Sequence, residues 1–286
     1  MDTENLRTFI ALAEHRNFTR TADMLFIAQS TVTNRIAELE RETGRPLFFR
    51  NKRKVTLTAE GEAFLGYAKR IVELSDTGIR DINSLNKYPD VLRIGTTNTI
   101  YECHLFPKIR DYMKSCPQNA VKVTIGHSSD LIKALQDDLL DVIYVYLPFY
   151  KAGYECELFA VDDLILATGF QNGRYEKGIS KKELVDSKYL YCNFALQEVG
   201  LFIKELFPPH YQFGFEIDNS TKLIPYLLEF DGISFIPESI AAPYIAKKQL
   251  KRIKLLDFDP PKINCYKMYK AGNKNIVDKD IIRLYN

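Results

Sequence analysis

The sequence predicts a multidomain chain: a small α-helical winged helix-turn-helix, one long linker helix, and a two-lobed α/β domain. Three observations carry this. Between Phe18 and Thr58 a compact helical pattern runs into a cationic, strand-like tail; from about Thr58 to Ser84 apolar residues recur by threes and fours; beyond Asp90 short apolar strands alternate with helices. With 286 residues, 46% of them apolar, the chain can bury more than one core.

The first helix follows Asp2 and Thr3, either of which can cap it, and Leu6, Phe9, Ile10 and Ala13 recur at helical spacing until Asn17 interrupts. A second helix is expected after Thr19, with Ala22, Leu25 and Phe26 as a narrow apolar stripe, and Phe26 to Gln29 leave room only for a tight turn. Ser30 is expected to cap a third helix, in which Val32, Ile36 and Leu39 share a buried face and Gly44 and Pro46 mark the end. The opposite face carries Ser30, Asn34, Ala37 and Arg41, with Thr31 and Thr33 on the flanks and Arg35 at the side.

A major groove about 12 Å wide accepts a helix with small side chains near its start, and Asn or Gln can pair with both edge atoms of adenine. Gln29, Ser30, Thr31 and Asn34 are therefore candidates for contact with bases, and Thr19, Thr33 and Arg35 for contact with phosphates. The alternative is that Ser30, Thr31 and Thr33 are ordinary capping and surface residues. From Arg45 to Lys54 the chain carries Arg45, Arg50, Lys52, Arg53 and Lys54 with no acidic residue, interleaved with Leu47, Phe48 and Phe49, and then alternates as Val55-Thr56-Leu57-Thr58. That is a hairpin with a cationic tip. Its apolar residues can anchor it on the helices while Arg50, Lys52, Arg53 and Lys54 reach phosphates, giving salt-dependent affinity without sequence information.

Roughly the first sixty residues resemble the N-terminal domain of LysR-type transcriptional regulators. The resemblance is carried by Leu6, Phe9, Ala13, Phe18, Thr19, Ala22, Leu25, Gln29, Ser30, Val32, Ile36, Leu39 and Glu40, and continues with Gly44, Leu47-Phe48-Phe49-Arg50, Leu57-Thr58 and Gly61. Two positions depart from the family pattern, which usually has Pro where Ser30 stands and commonly Arg where Asn34 stands. The resemblance implies DNA binding, with Asn34 altering which bases are preferred.

Leu65, Ala68, Val72, Ser75, Ile79 and Ile82 follow the spacing of a coiled-coil seam, so a dimerisation helix is expected through Leu65, Ala68, Val72, Ile79 and Ile82. A surface helix packed on its own domain is the alternative, since Ser75 and Gly78 weaken the seam. The resemblance implies antiparallel pairing with a partner chain, hence a homodimer or homotetramer on an inverted-repeat operator, with RNA polymerase as a further partner.

Strands are expected at Val91–Gly95, Val121–Ile125 and Val142–Val145, with intervening helices bearing Ile100, Leu105, Phe106, Ile109 and Met113, then Leu131, Ile132 and Leu135. Such repeated units imply a mainly parallel sheet with ligands at the carboxyl ends of its strands. Further strands at Leu164–Thr168, Tyr189–Tyr191, Phe213–Ile217 and Ile233–Ile236 suggest a second lobe. A looser resemblance to the effector-binding domain of the same family, carried by Leu92-Arg93-Ile94-Gly95, Pro107, Pro117, Leu135, Asp141, Leu158, Gly200, Gly232 and Pro237, implies a type 2 periplasmic-binding-protein-like fold. The expected domains are 1–58 for DNA binding, 59–87 for the linker and 88–286 for effector binding, with lobe I at about 91–160 and 263–286 and lobe II at about 161–262.

Thr96-Thr97-Asn98-Thr99 and Ser128-Ser129 each follow a strand and open a helix, aiming N–H groups into one cleft in a way that suits an anion. Thr99 and Ser129 acting merely as helix caps is the competing reading. The resemblance extends the effector site from Thr96, Thr97, Asn98, Ser128 and Ser129 to Tyr146, Asn193, Phe194, Ser220 and Ile236, and the expected effector is a small carboxylate or amino acid.

Other functions find less support. The net charge of +2 makes the basic character local to the wing, unlike a protein that coats nucleic acid. The first residues lead into an amphipathic helix and no apolar run nears the ~18 residues of a membrane span, so a cytoplasmic protein without membrane contact is expected. Cys103, Cys116, Cys156, Cys192 and Cys265 are an odd number at wide spacings, with no disulfide framework or zinc motif. Gly126-His127-Ser128-Ser129-Asp130 lacks the second glycine of a nucleophile elbow, and His15, His104 and His210 stand singly. No cofactor, metal or catalytic residue is expected, and the chain reads as no enzyme. The alternatives are redox sensing through Cys192, near the place of a reactive cysteine in redox-sensing relatives but with Leu201 near where a second would stand, and a two-lobed solute-binding or metabolic protein.

Overall fold

A computed structural model describes residues 1–51, 54–84, 88, 91–193 and 198–273, which fold as two units, Met1–Pro89 and Asp90–Asn286. In the first, helix α1 (Thr3–His15) starts at Asp2, whose carboxylate accepts from the Glu4 N–H at 3.1 Å. Helix α2 (Phe18–Leu25) starts before Thr19, because Asn17 is its cap and accepts from the Arg20 N–H. Phe26 then closes α2 in the left-handed region, with φ 53°, and this turns its ring outward to 96% exposure instead of into the stripe with Ala22 and Leu25. Helix α3 (Gln29–Thr43) begins from Ala28, not Ser30: the Ala28 carbonyl accepts from the N–H groups of Thr31 and Val32, and no side chain caps the start. Val32, Ile36 and Leu39 pack with Leu6, Phe9, Leu12 and Ala22 as the domain's core.

Strands β1 (Phe48–Asn51) and β2 (Lys54–Leu57) pair antiparallel, with Phe48 opposite Leu57 and Asn51 opposite Lys54. Glu40 of α3 accepts from the Leu47 and Phe48 N–H groups at 2.8 and 3.2 Å, tying the wing to that helix. The Thr58 hydroxyl donates to the Pro46 carbonyl and accepts from the Gly61 N–H, starting helix α4 (Ala59–Ser84) against the base of the wing. Ala68 and Val72 are buried in the core of this same domain, with Leu65 partly buried beside them, and Arg7 of α1 pairs with Asp76. These three predicted seam residues are therefore occupied at home. The outward apolar stripe of α4 is Tyr67, Ile71, Leu74 and Ile82, in line with Gly78, with Ile79 exposed at its side.

The second unit begins with β3 (Val91–Thr96), a short α5 (Asn98–Ile100), a π-helical turn (Tyr101–Leu105) and α6 (Phe106–Ser115). The π turn puts Leu105 five residues after Ile100 on the buried face, so Ile109 and Tyr112 follow it inward while Phe106 and Met113, expected inside, are exposed. Strand β4 (Ala120–Ile125), helix α7 (Ser128–Gln136) and strand β5 (Val142–Val145) complete the first α/β layer. Strand β3 lies parallel between β4 and β5. Asp141 anchors β3 by accepting from the Arg93 N–H at 2.8 Å and from two guanidinium nitrogens. Val142 and Tyr144 join one core and Ile143 and Val145 another, as alternation through a sheet requires.

The remaining elements are β6 (Tyr154–Gly169), α8 (Lys181–Val185), β7 (Tyr191–Cys192), α9 (Glu198–Glu205) and β8 (Glu216–Ile217), then α10 (Ser220–Glu229), β9 (Ile233–Pro237), α11 (Glu238–Ala246), β10 (Leu250–Arg252) and β11 (Lys262–Lys270). The 16-residue β6 pairs with β11 over Tyr154–Asp163, then with β9 and β10 over Leu164–Gly169, all antiparallel; β11 also lies antiparallel to β5. The expected mainly parallel sheet is thus a mixed one, parallel only at β4-β3-β5, because two long returning strands join the lobes; β7 and β8 pair parallel in a separate two-stranded sheet. The expected return of the chain to lobe I begins with β11; residues 274–286 lie outside the described residues.

A Cβ at Gly61 would stand 2.2 Å from the Leu47 carbonyl oxygen. Gly61→Ala is expected to destabilise the N-terminal unit by about 1–3 kcal/mol through forced backbone movement. Thermal unfolding of the purified chain checks this, and an unchanged transition would show that the α4 start yields freely.

Candidate functional site

In the N-terminal unit, Gln29, Ser30 and Asn34 are exposed on α3, with Thr31 and Thr33 half-buried. Because Ala28 provides the cap carbonyl, the hydroxyl of Ser30 has no capping role, and Thr33 donates to the Gln29 carbonyl. Thr19 is exposed in the first turn of α2, where helix N–H groups favour phosphate. Arg35 is placed otherwise than the sequence suggested: it donates to the Thr8 hydroxyl at 3.1 Å and pairs with Glu4 at 3.2 Å, holding α3 to α1. Lys52 and Arg53 and the side chains of Arg50 and Lys54 lie outside the described residues. Arg20 of α2 and Phe26 of the turn before α3 are also exposed. Only the left-handed turn, invisible in apolar spacing, turns Phe26 out.

The second unit holds a cleft of about 530 Å³ built from loops at the carboxyl ends of strands. After β3 come Thr97, Asn98 and Thr99; after β4 come Gly126, His127, Ser128 and Ser129; after β7 comes Asn193; after β8 come Asp218 and Asn219. Asp130 and Ile125 complete the lining. Of the residues expected here, Thr97, Asn98, Ser128, Ser129 and Asn193 line the cleft. Thr96, Ser220 and Ile236 are fully buried behind it, because each points into the core side of its element, and Phe194 lies outside the described residues. Tyr146 is not a lining residue but packs against the cores of both lobes, and burial pushes its hydroxyl pKa well above the usual tyrosine value, opposed by a hydrogen bond with Thr99.

Side chains cross between the loops. Asn98 donates to Thr221 at 2.9 Å and to Asn219 at 3.4 Å, and the Thr99 and Ser220 hydroxyls meet at 2.7 Å in a buried contact. Asn219 also caps α10, accepting from the Thr221 and Lys222 N–H groups. The start of α7 has no capping side chain; Ser128 instead accepts from the Tyr146 N–H at 3.4 Å. His127 faces Asp218 across the mouth at 3.8 Å. Asp130 escaped the site reading as a first-turn residue of α7 behind the two serines, and Asp218 and Asn219 because the loop after Phe213–Ile217 opens with a carboxylate and a carboxamide rather than hydroxyls. Its strand–polar–helix pattern is nonetheless the same as that after β3 and β4.

Among the described residues, no group of three or more His, Cys, Asp or Glu is placed to hold a metal ion, and no helix is long and apolar enough to cross a membrane. Cys192 is buried in a lobe core, and burial pushes the Cys103 and Cys265 thiols up to about 11 and about 12.

Comparison with known proteins follows this geometry. A family model described as bacterial regulatory helix-turn-helix protein, lysR family, matches residues 3–62, and one described as LysR substrate binding domain matches residues 88–275. The chain is 26% identical to the HTH-type transcriptional regulator CitR of Bacillus subtilis (strain 168), over 96% of this chain and 95% of that one. It is 27% identical to the HTH-type transcriptional regulator YofA of Bacillus velezensis, over 87% and 85%. Among solved structures, CbnR, a LysR family transcriptional regulator, shares the fold with a TM-score of 0.73 at 22% identity over all of both chains. Full-length CbnR complexed with its target DNA gives 0.71 at 22% identity, over 99% of this chain and 100% of that one.

Where β6 passes between the lobes, Asp162 accepts from the Ser239 N–H at 3.3 Å and from its hydroxyl, and lies 4.0 Å from His104 of the π turn. Burial lowers the His104 pKa below its ordinary 6.5, with Asp162 opposing and Lys108 adding to the shift. The folded state therefore prefers neutral His104: its contribution to stability is complete above about pH 6.5 and is lost as pH falls from there through the lowered folded value. Thermal unfolding between pH 7.5 and pH 5 is expected to show a loss of stability that His104→Gln reduces. An identical pH profile in that variant would assign the loss to other groups.

Proposed function

This chain belongs to the LysR family of transcriptional regulators, and we propose that it reads an inverted-repeat operator with paired α3 helices and senses a small polar metabolite in its interlobe cleft. The observation that supports the sensing reading best is the convergence of strand-end loops from both lobes on one cleft. A ligand touching both lobes binds one lobe arrangement better than another, and that difference in affinity is what shifts the regulator's state.

On the DNA side, Gln29, Ser30, Thr31 and Asn34 contact base edges, and Thr19, Thr33, Arg50, Lys52, Arg53 and Lys54 contact phosphates. Arg35 serves to hold α3 in place. Pairing of two chains, as a dimer or as a tetramer built from two dimers, runs through the outward stripe of α4, Tyr67, Ile71, Leu74 and Ile82, with Ile79 at its side. The exposure of this stripe over four turns supports that choice over Leu65, Ala68 and Val72. Cytoplasmic action follows from a DNA target. Burial of Cys192 favours metabolite sensing over thiol oxidation.

Binding to the protein's own upstream DNA, titrated with salt, tests the division of labour. Lys52→Ala with Arg53→Ala is expected to weaken binding to all sequences and to lower the salt slope by about one per charge removed, whereas Gln29→Ala costs about 1–3 kcal/mol at one base position and relaxes its specificity. Equal effects of both kinds on specificity would overturn the assignment. Ile71→Glu with Leu74→Glu is expected to shift the chain toward monomer in light scattering and to lose binding to the two-half-site operator. A dimer that persists would move the interface elsewhere.

A further inference from the structure

The charge inventory of the cleft is narrower than its hydroxyls suggest. Its titratable lining residues are Asp130, Asp218 and His127, with no lysine or arginine among them. Lys133 neutralises Asp130 from outside the lining at 3.8 Å, on the same helix. Asp218 has no such neighbour on its own loop; the basic group facing it is His127, which reaches from the other lobe. A simple dianion would thus enter a cleft with two fixed carboxylates and no guanidinium to hold it. A simple cation would leave the opposite wall unused: the uncapped start of α7, with Ser128 and Ser129, offers N–H and hydroxyl donors in the same space. Ser128 accepts from the Tyr146 N–H, so its own proton is available to donate.

We propose that the ligand of this cleft is dipolar, a small polar molecule carrying both an ammonium and a carboxylate, as an α-amino acid does. The inference rests on the sensing role proposed for this cleft. Asp218 takes the ammonium in place of its contact with His127, and the α7 start with Ser128 and Ser129 takes the carboxylate. Asn98 and Asn193, each with donor and acceptor, suit the polar remainder, and a single exposed apolar residue in the lining, Ile125, leaves little for a large hydrocarbon group. Since Asp218 follows β8 and Ser128 follows β4, one dipolar molecule bridges the lobes through both of its ends. Neither charge alone does so.

The test is calorimetric titration of the full-length protein with the twenty proteinogenic amino acids and, for each that binds, its des-amino carboxylate and its decarboxylated amine. The expected result is binding of one or a few amino acids, with each half-ligand at least tenfold weaker. Asp218→Asn, whose side chain is two-thirds exposed and so tolerates the change, should weaken the amino acid at least tenfold and leave the des-amino carboxylate unchanged or improved. Ser129→Ala should weaken the amino acid and leave the amine unchanged. Carboxylates or polyamines binding as well as amino acids, or no amino acid binding at all, would overturn the dipolar class. If Asn193→Ala still weakened whatever ligand did bind, the cleft would remain the sensing site. A ligand indifferent to Asp218→Asn, Ser129→Ala and Asn193→Ala alike would overturn the site itself.

Discussion

The pairing of β6 with β11 is the constraint on which the effector-binding domain depends. Nine residues of β11 lie against the first part of β6, and β11 also closes onto β5, so lobe I is built partly from chain that has already passed through lobe II. The later part of β6 carries β9 and β10. Both lobes are therefore joined by β6 and by the returning start of β11, which lie side by side near Asp162 and Asp163, where β6 exchanges partners. A cleft at the free ends of the loops gains the most movement from the least strain in such an arrangement. The half-buried cluster of Asp162, Ser239, His104 and Cys103 sits at this crossing.

In the N-terminal unit, a comparable role falls to two polar side chains. Glu40 satisfies the first two N–H groups of the wing, and Thr58 joins the wing base to the start of α4. Buried polar groups that are fully satisfied fix geometry as well as contributing stability. The separation between α3 and the wing is set by these contacts as well as by the apolar core. Arg35 adds to the same framework from the side of α1.

How far the sequence revealed this arrangement depended on the kind of signal. Regular periodicity found α1, α3, α4, β3 and β5, because one buried face repeats at a fixed angle. It failed where the backbone departs from regularity. Phe26 reads as inward because a left-handed residue leaves no mark in hydrophobic spacing, and Asn17 reads as a break although it is a cap. Strand β6 was seen only over its second half, since its first half alternates half-buried residues with Glu155, Glu157 and Leu158, a weak pattern until β11 is in place. Leu65, Ala68 and Val72 form a genuine apolar stripe; spacing says that a face is buried, not which chain buries it. In the cleft, hydroxyls after two strands pointed to the right loops, while one of its two carboxylates, Asp218, came from a third loop distant in sequence.

The π-helical turn at Tyr101–Leu105 has a consequence for comparing this chain with others. A π turn holds one more residue than the α turn it replaces, so everything downstream on α6 is rotated by about 100° relative to an uninterrupted helix. A relative lacking that residue would keep the counterparts of Ile109 and Tyr112 inward, but one position earlier in its sequence. An ungapped alignment through this helix would then pair core positions with surface positions. A one-residue gap within the turn restores the match, and makes the length of this short segment as informative as its composition.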